Sequence, residues 1–458
     1  MHFSKSGIHF FKQYVPKWQW LKIYFVSAVL ALFFISGMLV GIGNLAPAIW
    51  LKDGVLAFQD WAEHYQHYSG LRPDKFIRKA RPSLRGSGVV IYDKVQAYPG
   101  VTLITSMWGD YRNGADLIDM DGKVLHQWRV SYNQIWADTP GFPASKIRDW
   151  DVDIHGALLY PDGSMVFNFE YGGLVKIDQC SRVIWKLARE THHSVKMDDD
   201  GNLWVPARKM HQKADARFPI LKTGIEEDLI LKVSPDGKVI REIPVLSAIY
   251  KSDLAGLVLG VKNADSANTL TDIGHLNSID VLSPRLAHQF PMFSAGDILI
   301  SLRNLNLLIV LDSTTEKVKW WTMGSFAFQH DAHFMDDGRI GLLDNRGEVE
   351  NPLGVELLGS RILAINPATK QEAILYRSGS DNFFHTPIRG KQQFLPNGNI
   401  LITEWAAGRV FEVDKNGRVV WNYLNRYDED EMYIISQATR YDASYAHFAQ
   451  GGLVCPKP

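Results

Sequence analysis

Two hydrophobic patterns divide the chain. From Ile23 to Leu45 the sequence reads IYFVSAVLALFFISGMLVGIGNL, without a charge. As a helix this stretch spans about 34 Å, enough for a hydrocarbon core of about 30 Å. Farther on, apolar and polar positions alternate with period two in short runs broken by Asp-Gly and Asn-Gly turns, the pattern of β-hairpins. One hairpin template, a strand, an Asp- or Asn-containing turn and a strand often ending in Trp, recurs at Leu117–Trp128, Val175–Trp185, Leu231–Ile243, Ile309–Trp321, Ile362–Leu375 and Val410–Trp421. A second hairpin precedes most copies: HGALLYPDGSMVF from His155, HHSVKMDDDGNLWV from His192, HDAHFMDDGRIGLL from His330 and KQQFLPNGNILI from Lys391. Two hairpins make a four-stranded meander of roughly 40–60 residues, the unit of a propeller blade. With an incomplete copy near Tyr98–Ser106, six blades fit between Ser87 and Asn425. The expected fold is therefore all-β, a six-bladed β-propeller preceded by one N-terminal transmembrane helix. Val89–Tyr92 is expected to close the ring as a strand added to the last blade, since a ring must hide its edges. Two separate β-sandwiches would not repeat one template six times.

The expected organisation is a basic cytoplasmic N-terminus (1–22), an anchor (23–45), a linker (46–86), the propeller (87–425) and a tail packed on it (426–458). Lys5, Lys12, Lys17 and Lys22 precede the anchor with no acidic residue among them, so the positive-inside rule sends the rest across the membrane. A cleavable signal ending at Ala46-Pro47-Ala48 is the rival, but the apolar run exceeds the usual 7–15 residues. Either way the main domain is exported, and the expectation is a single-pass protein of the inner membrane with its C-terminal domain in the periplasm or outside. In the linker, Val55, Phe58, Trp61, Ala62, Tyr65 and Tyr68 recur at the spacing of a short amphipathic helix. The basic stretch Arg72, Lys75, Arg78, Lys79, Arg81 and Arg85 follows, as a solvated linker or a membrane-surface contact. In the tail, Asp428–Glu431 stand before Met432–Tyr441, which the acidic run marks as a short helix.

Composition narrows the chemistry. Of 458 residues, 46% are hydrophobic, and 49 basic against 50 acidic residues leave a net charge of −1. No charge excess is available for tight binding to a nucleic-acid backbone. Cys180 and Cys455 are the only cysteines, too few for a disulfide framework or a four-thiolate zinc site, and whether they pair is open. There is no H-E-x-x-H, no G-x-S-x-G and no G-x-G-x-x-G at a strand–helix junction.

Histidine recurs in register with the repeats. His155, His193 and His330 each stand eight residues before a turn glycine, Gly163, Gly201 and Gly338. His275 and His385 open two further blades at longer spacing. First strands line a propeller's channel, so these five histidines are expected at one mouth. Repeat histidines can also serve only to tie a strand to its neighbour. His275 is followed by Asn277 and, later, by Arg303 inside the apolar run ILISLRNLNLLIVLD, where a bound anion or an internal ion pair would partner the arginine. Neutral imidazole is a nucleophile or acid–base group near neutral pH, and the guanidinium fork suits oxyanions. The set fits a sulfate or phosphate ester. Three or four histidines can also hold zinc, copper or iron.

The series HLNSID, SLRNLNLLIVLD, KVKWWTMG and QHDAHFMDDGRIGLLDN resembles the arylsulfotransferase family. So do ADLIDMDGKVLHQW and QQFLPNGNILITEWAAGRVFEVDKNGRVVW, in the same order, over roughly Ala97–Tyr441. The resemblance implies a nucleotide-independent transfer of a sulfuryl group from an aryl sulfate to a phenol, with no cofactor and no metal. It implies that His330 is the transiently sulfated nucleophile, that His275 and Arg303 hold sulfate oxygens, and that His193 is a further sulfate-binding histidine. Asn277, His155 and His385 are the expected substrate-binding neighbours, and Trp108, Trp204, Phe326 and Trp405 are candidates to stack on aryl rings. Characterised members carry a disulfide near the active site, for which no cysteine pair is placed here. The expected partners are the aryl sulfate, the phenol and the membrane, with no nucleic acid. Two other readings are a histidine-liganded metalloenzyme and a non-catalytic envelope propeller that binds a partner.

Overall fold

The computed structural model describes residues 74–458 except 110–111, 143–147, 214, 219–223, 259–270, 348–358, 380–381, 451–454 and 456–458, together with residues 24, 25, 27–29 and 32. The chain divides into two units, Met1–Tyr65 and Gln66–Pro458. In the first unit the described positions are helical, with Tyr24, Phe25 and Leu32 exposed. The remainder of the expected anchor and the linker helix lie outside the described residues. Among the described residues no helix is long and apolar enough to cross a membrane.

The second unit is a six-bladed β-propeller. Blade 2 is typical, with antiparallel strands Ile154–Leu159, Met165–Phe169, Leu174–Ile177 and Val183–Leu187 in sequential order. Blades 3 to 6 begin with Lys196–Met197, Leu276–Val281, His330–Phe334 and Lys391–Phe394 and repeat that order. First strands of neighbouring blades touch one another around the axis. The middle strands are covered on both faces by adjacent blades, which is why Ile298–Leu302 and Leu307–Leu311 are apolar at nearly every position and buried at all of them. Outer strands such as Val318–Met323 alternate between buried and exposed positions.

The tryptophans of the repeat have a common task. The indole of Trp185 donates to Pro235 O at 3.0 Å, that of Trp320 to Pro367 O at 2.8 Å and that of Trp421 to Met120 O at 2.9 Å. Each acceptor is the second residue of the turn between the third and fourth strands of the next blade. The last of these bonds joins blade 6 to blade 1. Trp128 reaches blade 2 through Gly163 O at 3.2 Å, in the turn between the first and second strands.

Closure departs from expectation. Gly88–Tyr92 does pair with Val419–Leu424, as a fifth strand on the outer edge of blade 6. The ring itself is closed by Ile435–Tyr441, which pairs with Val101–Met107 as the first strand of blade 1. The expected helix at Met432–Tyr441 is therefore absent. Met432 belongs to a short strand, Glu431–Tyr433, paired with Ile77–Lys79, and Ile435–Tyr441 follows as a largely buried strand. Pairing with a distant strand overrides the local acidic signal. The propeller consequently extends beyond the expected 87–425 at both ends. From Asp74 onward the basic stretch belongs to it, with Phe76, Ile77 and Leu84 buried and Arg81 paired to Glu404 at 2.6 Å. Cys180 and Cys455 form a disulfide, tying the C-terminal segment to the outer hairpin of blade 2.

Candidate active site

Four first strands are interrupted near their starts. Their register slips at His155, at Asn277, at Asp331–Ala332 and at Ser436. A bulge leaves an extra residue outside the ladder and re-aims its side chain. His155, Asn277, Asp331 and Ser436 accordingly line one small cavity, joined by His193, His330, Arg389 and Lys391.

The histidines form a stack centred on His193. Its ring centroid lies 4.1 Å from His155, 5.1 Å from His275 and 5.9 Å from His330. His193 and His275 hold left-handed φ angles of 58° and 54°, which cost a non-glycine residue about 1 kcal/mol or more and are maintained only by the surrounding structure. A Cβ on Gly156 would stand 2.1 Å from the carbonyl oxygen of His193. Glycine is thus what lets the main chain of His193 rest on the first strand of blade 2.

His330 is oriented through Nδ1, which lies 2.8 Å from Asn345 Oδ1 and 3.0 Å from Phe328 O. The amide nitrogen of Asn345 donates to Thr386 O at 2.6 Å and Arg389 O at 2.9 Å, which assigns its oxygen to the histidine. Both partners of Nδ1 are acceptors, so the proton sits on Nδ1 and the lone pair on Nε2. Burial, then the nearby charge of Arg303, lower the imidazole to about 3 against the hydrogen bond it donates to Asn345. Burial, followed by His275, also brings His192 to about 3. His155 is held well below its ordinary value by burial and Arg389, and His193 by burial and His155. All four are neutral at pH 7.

This sets an acid limit on the fold. An unfolded histidine binds a proton below about 6.5 and these buried ones do not. Their stability contribution is therefore complete above that pH and lost as pH falls toward 3. Denaturant midpoints should drop steeply between pH 6.5 and 4, and His155→Leu should flatten the slope. An unchanged slope in that variant would count against the neutral stack.

Arg303 is not in mid-strand. It opens the 3₁₀ turn Arg303–Leu305 between two strands of blade 4, because Asn306 takes a left-handed φ of 48° and reverses the chain there. Its guanidinium lies 5.2 Å from the Phe328 ring and donates to Asn304 Oδ1 at 3.0 Å. His275 holds Asp272 through Nδ1 at 2.5 Å. Asn277 Nδ2 donates to Gln329 O at 2.7 Å. His385 does not join the stack. Its amide donates to Glu404 at 2.8 Å and its ring rests on Phe383, because the longer insertion before its strand carries it away from the bulged position.

Trp204 and Phe326 are core residues. Trp108 lies under Arg129 at 4.9 Å, and Trp405 between Arg78 and Arg389 at 5.3 Å each. Sequence reasoning missed His192, whose Nδ1 lies 2.6 Å from His193 Nδ1. It also missed Asn345, Asp272, Lys391 and Arg389, the last paired with Asp153 at 2.5 Å and Glu170 at 2.6 Å. The doubled HH was the one available signal for His192. Among the described residues no group of three or more His, Cys, Asp or Glu side chains is arranged to hold a metal.

Among solved structures, a protein of unknown function from Bacteroides caccae aligns at TM-score 0.46 and 14% identity, over 74% of this chain and 98% of that one. Virginiamycin B lyase from Staphylococcus aureus aligns at TM-score 0.39 and 11% identity, over 76% and 87%. No curated protein matches. The model of the arylsulfotransferase (ASST) family matches residues 155–426, more than half of the chain. That stretch holds the whole histidine stack, His330 with its Asn345 partner, and Arg303, and the chain belongs to the arylsulfotransferase family.

Proposed function

We propose that this protein moves a sulfuryl group from an aryl sulfate to a phenol through a sulfo-histidine at His330. The observation that carries this reading is the tautomer of His330. With Nδ1–H fixed by Asn345 and Phe328, a neutral Nε2 lone pair is available without prior deprotonation. In the first half-reaction Nε2 attacks sulfur, the N–S bond forms as the S–O bond breaks, and a phenolate leaves. By analogy with phosphoryl transfer the transition state is loose, with charge on the equatorial oxygens. Arg303 holds that charge, with His275, His193, Asn277 and His155 walling the sulfuryl position, and fixed donors of this kind supply a large share of catalysis. An acceptor phenol then takes the group in a second in-line step. This is ping-pong transfer.

We place the propeller in an exported compartment, anchored by residues 23–45 to the inner membrane. The Cys180–Cys455 disulfide supports that placement, since such bonds persist in oxidising surroundings.

Asn345 tests the carrying observation. Asn345→Leu removes the acceptor that fixes the tautomer, and kcat should fall about 100-fold while KM for the donor changes little. Stopped-assay kinetics on wild type and variant check this. An unchanged kcat would mean that Asn345 only ties blade 5 to blade 6.

A further inference from the structure

Ping-pong transfer leaves a proton to be accounted for. The donor departs as a phenolate and must be protonated, while the acceptor arrives as a phenol and must be deprotonated. The same proton can serve both if one group holds it between the half-reactions. Arginine cannot release a proton. His155, His192, His193 and His330 are buried and held neutral. Lys391 is paired with Asp331 at 3.3 Å. His333 faces carboxylates from both ring nitrogens, Asp280 at 3.7 Å and Asp331 at 3.2 Å, and so has none left for a substrate.

His275 differs from all of them. Its Nδ1 lies 2.5 Å from Asp272 Oδ2, while among the described residues nothing holds Nε2. Its side chain is 20% exposed, against 4% for His330. Asp272 is itself fixed, with its main-chain oxygen accepting from Asn304 Nδ2 at 2.9 Å and its strand paired with Ile225–Val233. His275 meets the His193 ring edge-on, centroids 5.1 Å apart, while His330 lies tilted against it at 5.9 Å.

We propose that His275, oriented by Asp272, carries the proton between the two phenols, an inference that rests on the sulfotransferase reading above. The step needs a proton on Nε2 while Nδ1–H stays on Asp272. In the first half-reaction Nε2–H passes its proton to the departing phenolic oxygen, leaving neutral His275 with Nδ1–H on Asp272. In the second, Nε2 takes the proton of the acceptor hydroxyl as its oxygen attacks sulfur and the N–S bond breaks. His275 ends as it began, and one proton has moved from acceptor to donor. Asp272 acts through His275 and is a positioning residue.

The test is leaving-group dependence. Proton donation matters most for a strongly basic phenolate, so D272N is assayed with phenyl sulfate and with 4-nitrophenyl sulfate as donors and one common acceptor. Under donor-limited conditions kcat/KM should fall about 100-fold with phenyl sulfate and at least tenfold less with the nitro compound, and Asp272→Glu should recover part of the difference. Equal losses with both donors would show a merely structural carboxylate and overturn the proposal. Should D272N fail to fold, His275→Gln, which keeps a polar group but cannot ionise, must give the same split, and equal losses there overturn it as well. If the wild-type protein neither transfers nor becomes sulfated from 4-nitrophenyl sulfate, the sulfotransferase reading falls, and this proposal with it. A wild type that does transfer isolates the proposal.

Discussion

Replacing His330 by alanine should abolish both half-reactions, with turnover down by at least about 10⁴-fold. His330 is the one histidine of the stack whose Nδ1 proton is fixed by two acceptors and whose ring stands beside Arg303. Each neighbour lacks one of those features. The nucleophile also carries the group between donor and acceptor, so its loss cannot be compensated by better binding. Incubation of the wild-type domain with an aryl sulfate alone should add the mass of one sulfuryl group to the peptide containing His330, and a phenol should remove it. The alanine variant should show neither event while keeping a cooperative melt. Mass on another residue, or fast transfer with no adduct, would point instead to another carrier or to direct transfer.

The second large effect concerns closure. A chain lacking Ile435–Tyr441 should not form a soluble, cooperatively melting domain. Without that strand, Val101–Met107, buried along its whole length, becomes an open edge. The lost strand also ties three blades together. Gln437 pairs with both main-chain groups of Ala157 at 2.8–3.0 Å, and Ala438 N donates to Thr403 Oγ1 at 3.1 Å. Arg440 faces Glu412 at 3.3 Å with both side chains fully buried, so the carboxylate would be left without its counter-charge. Removing one partner of such a pair alone costs about 3–5 kcal/mol, against a typical net stability of about 5–15 kcal/mol. Removing only residues 442–458 should leave a folded ring with a lower melting temperature. Soluble yield and a circular dichroism melt separate the two truncations, and a cooperative melt from the shorter chain would place closure elsewhere.

The blades were legible in the sequence because each copy of the hairpin carries its own turn residues and, often, its own tryptophan. ISQATRY has no such mark. Nothing beside it shows that its partner lies near residue 104, and the acidic run before it favours a helix. The histidine stack could be read from the eight-residue spacing to a turn glycine at His155, His193 and His330, and His275 joins it at a longer spacing. At His385 the spacing is longer and Glu404 and Phe383 take the residue instead. The bulges that aim Asn277, Asp331 and Ser436 inward have no sequence signature, since one extra residue in a strand changes no composition. Asn345 acts through a histidine on the neighbouring strand, and Asp272 through one three residues away whose left-handed turn brings the two together. Neither contact can be read before the backbone that makes it is placed.

Closure by the final strand has a consequence in time. Ser106, beside the open edge of blade 1, must wait for Ile434, 328 residues later in synthesis. At about 5–20 residues per second that delay is roughly 15–65 s. Throughout it the first blade has a naked edge and the last tryptophan bond, from Trp421 to Met120, does not exist. Until the C-terminus has emerged, the Val101–Met107 edge therefore has no partner strand on that side.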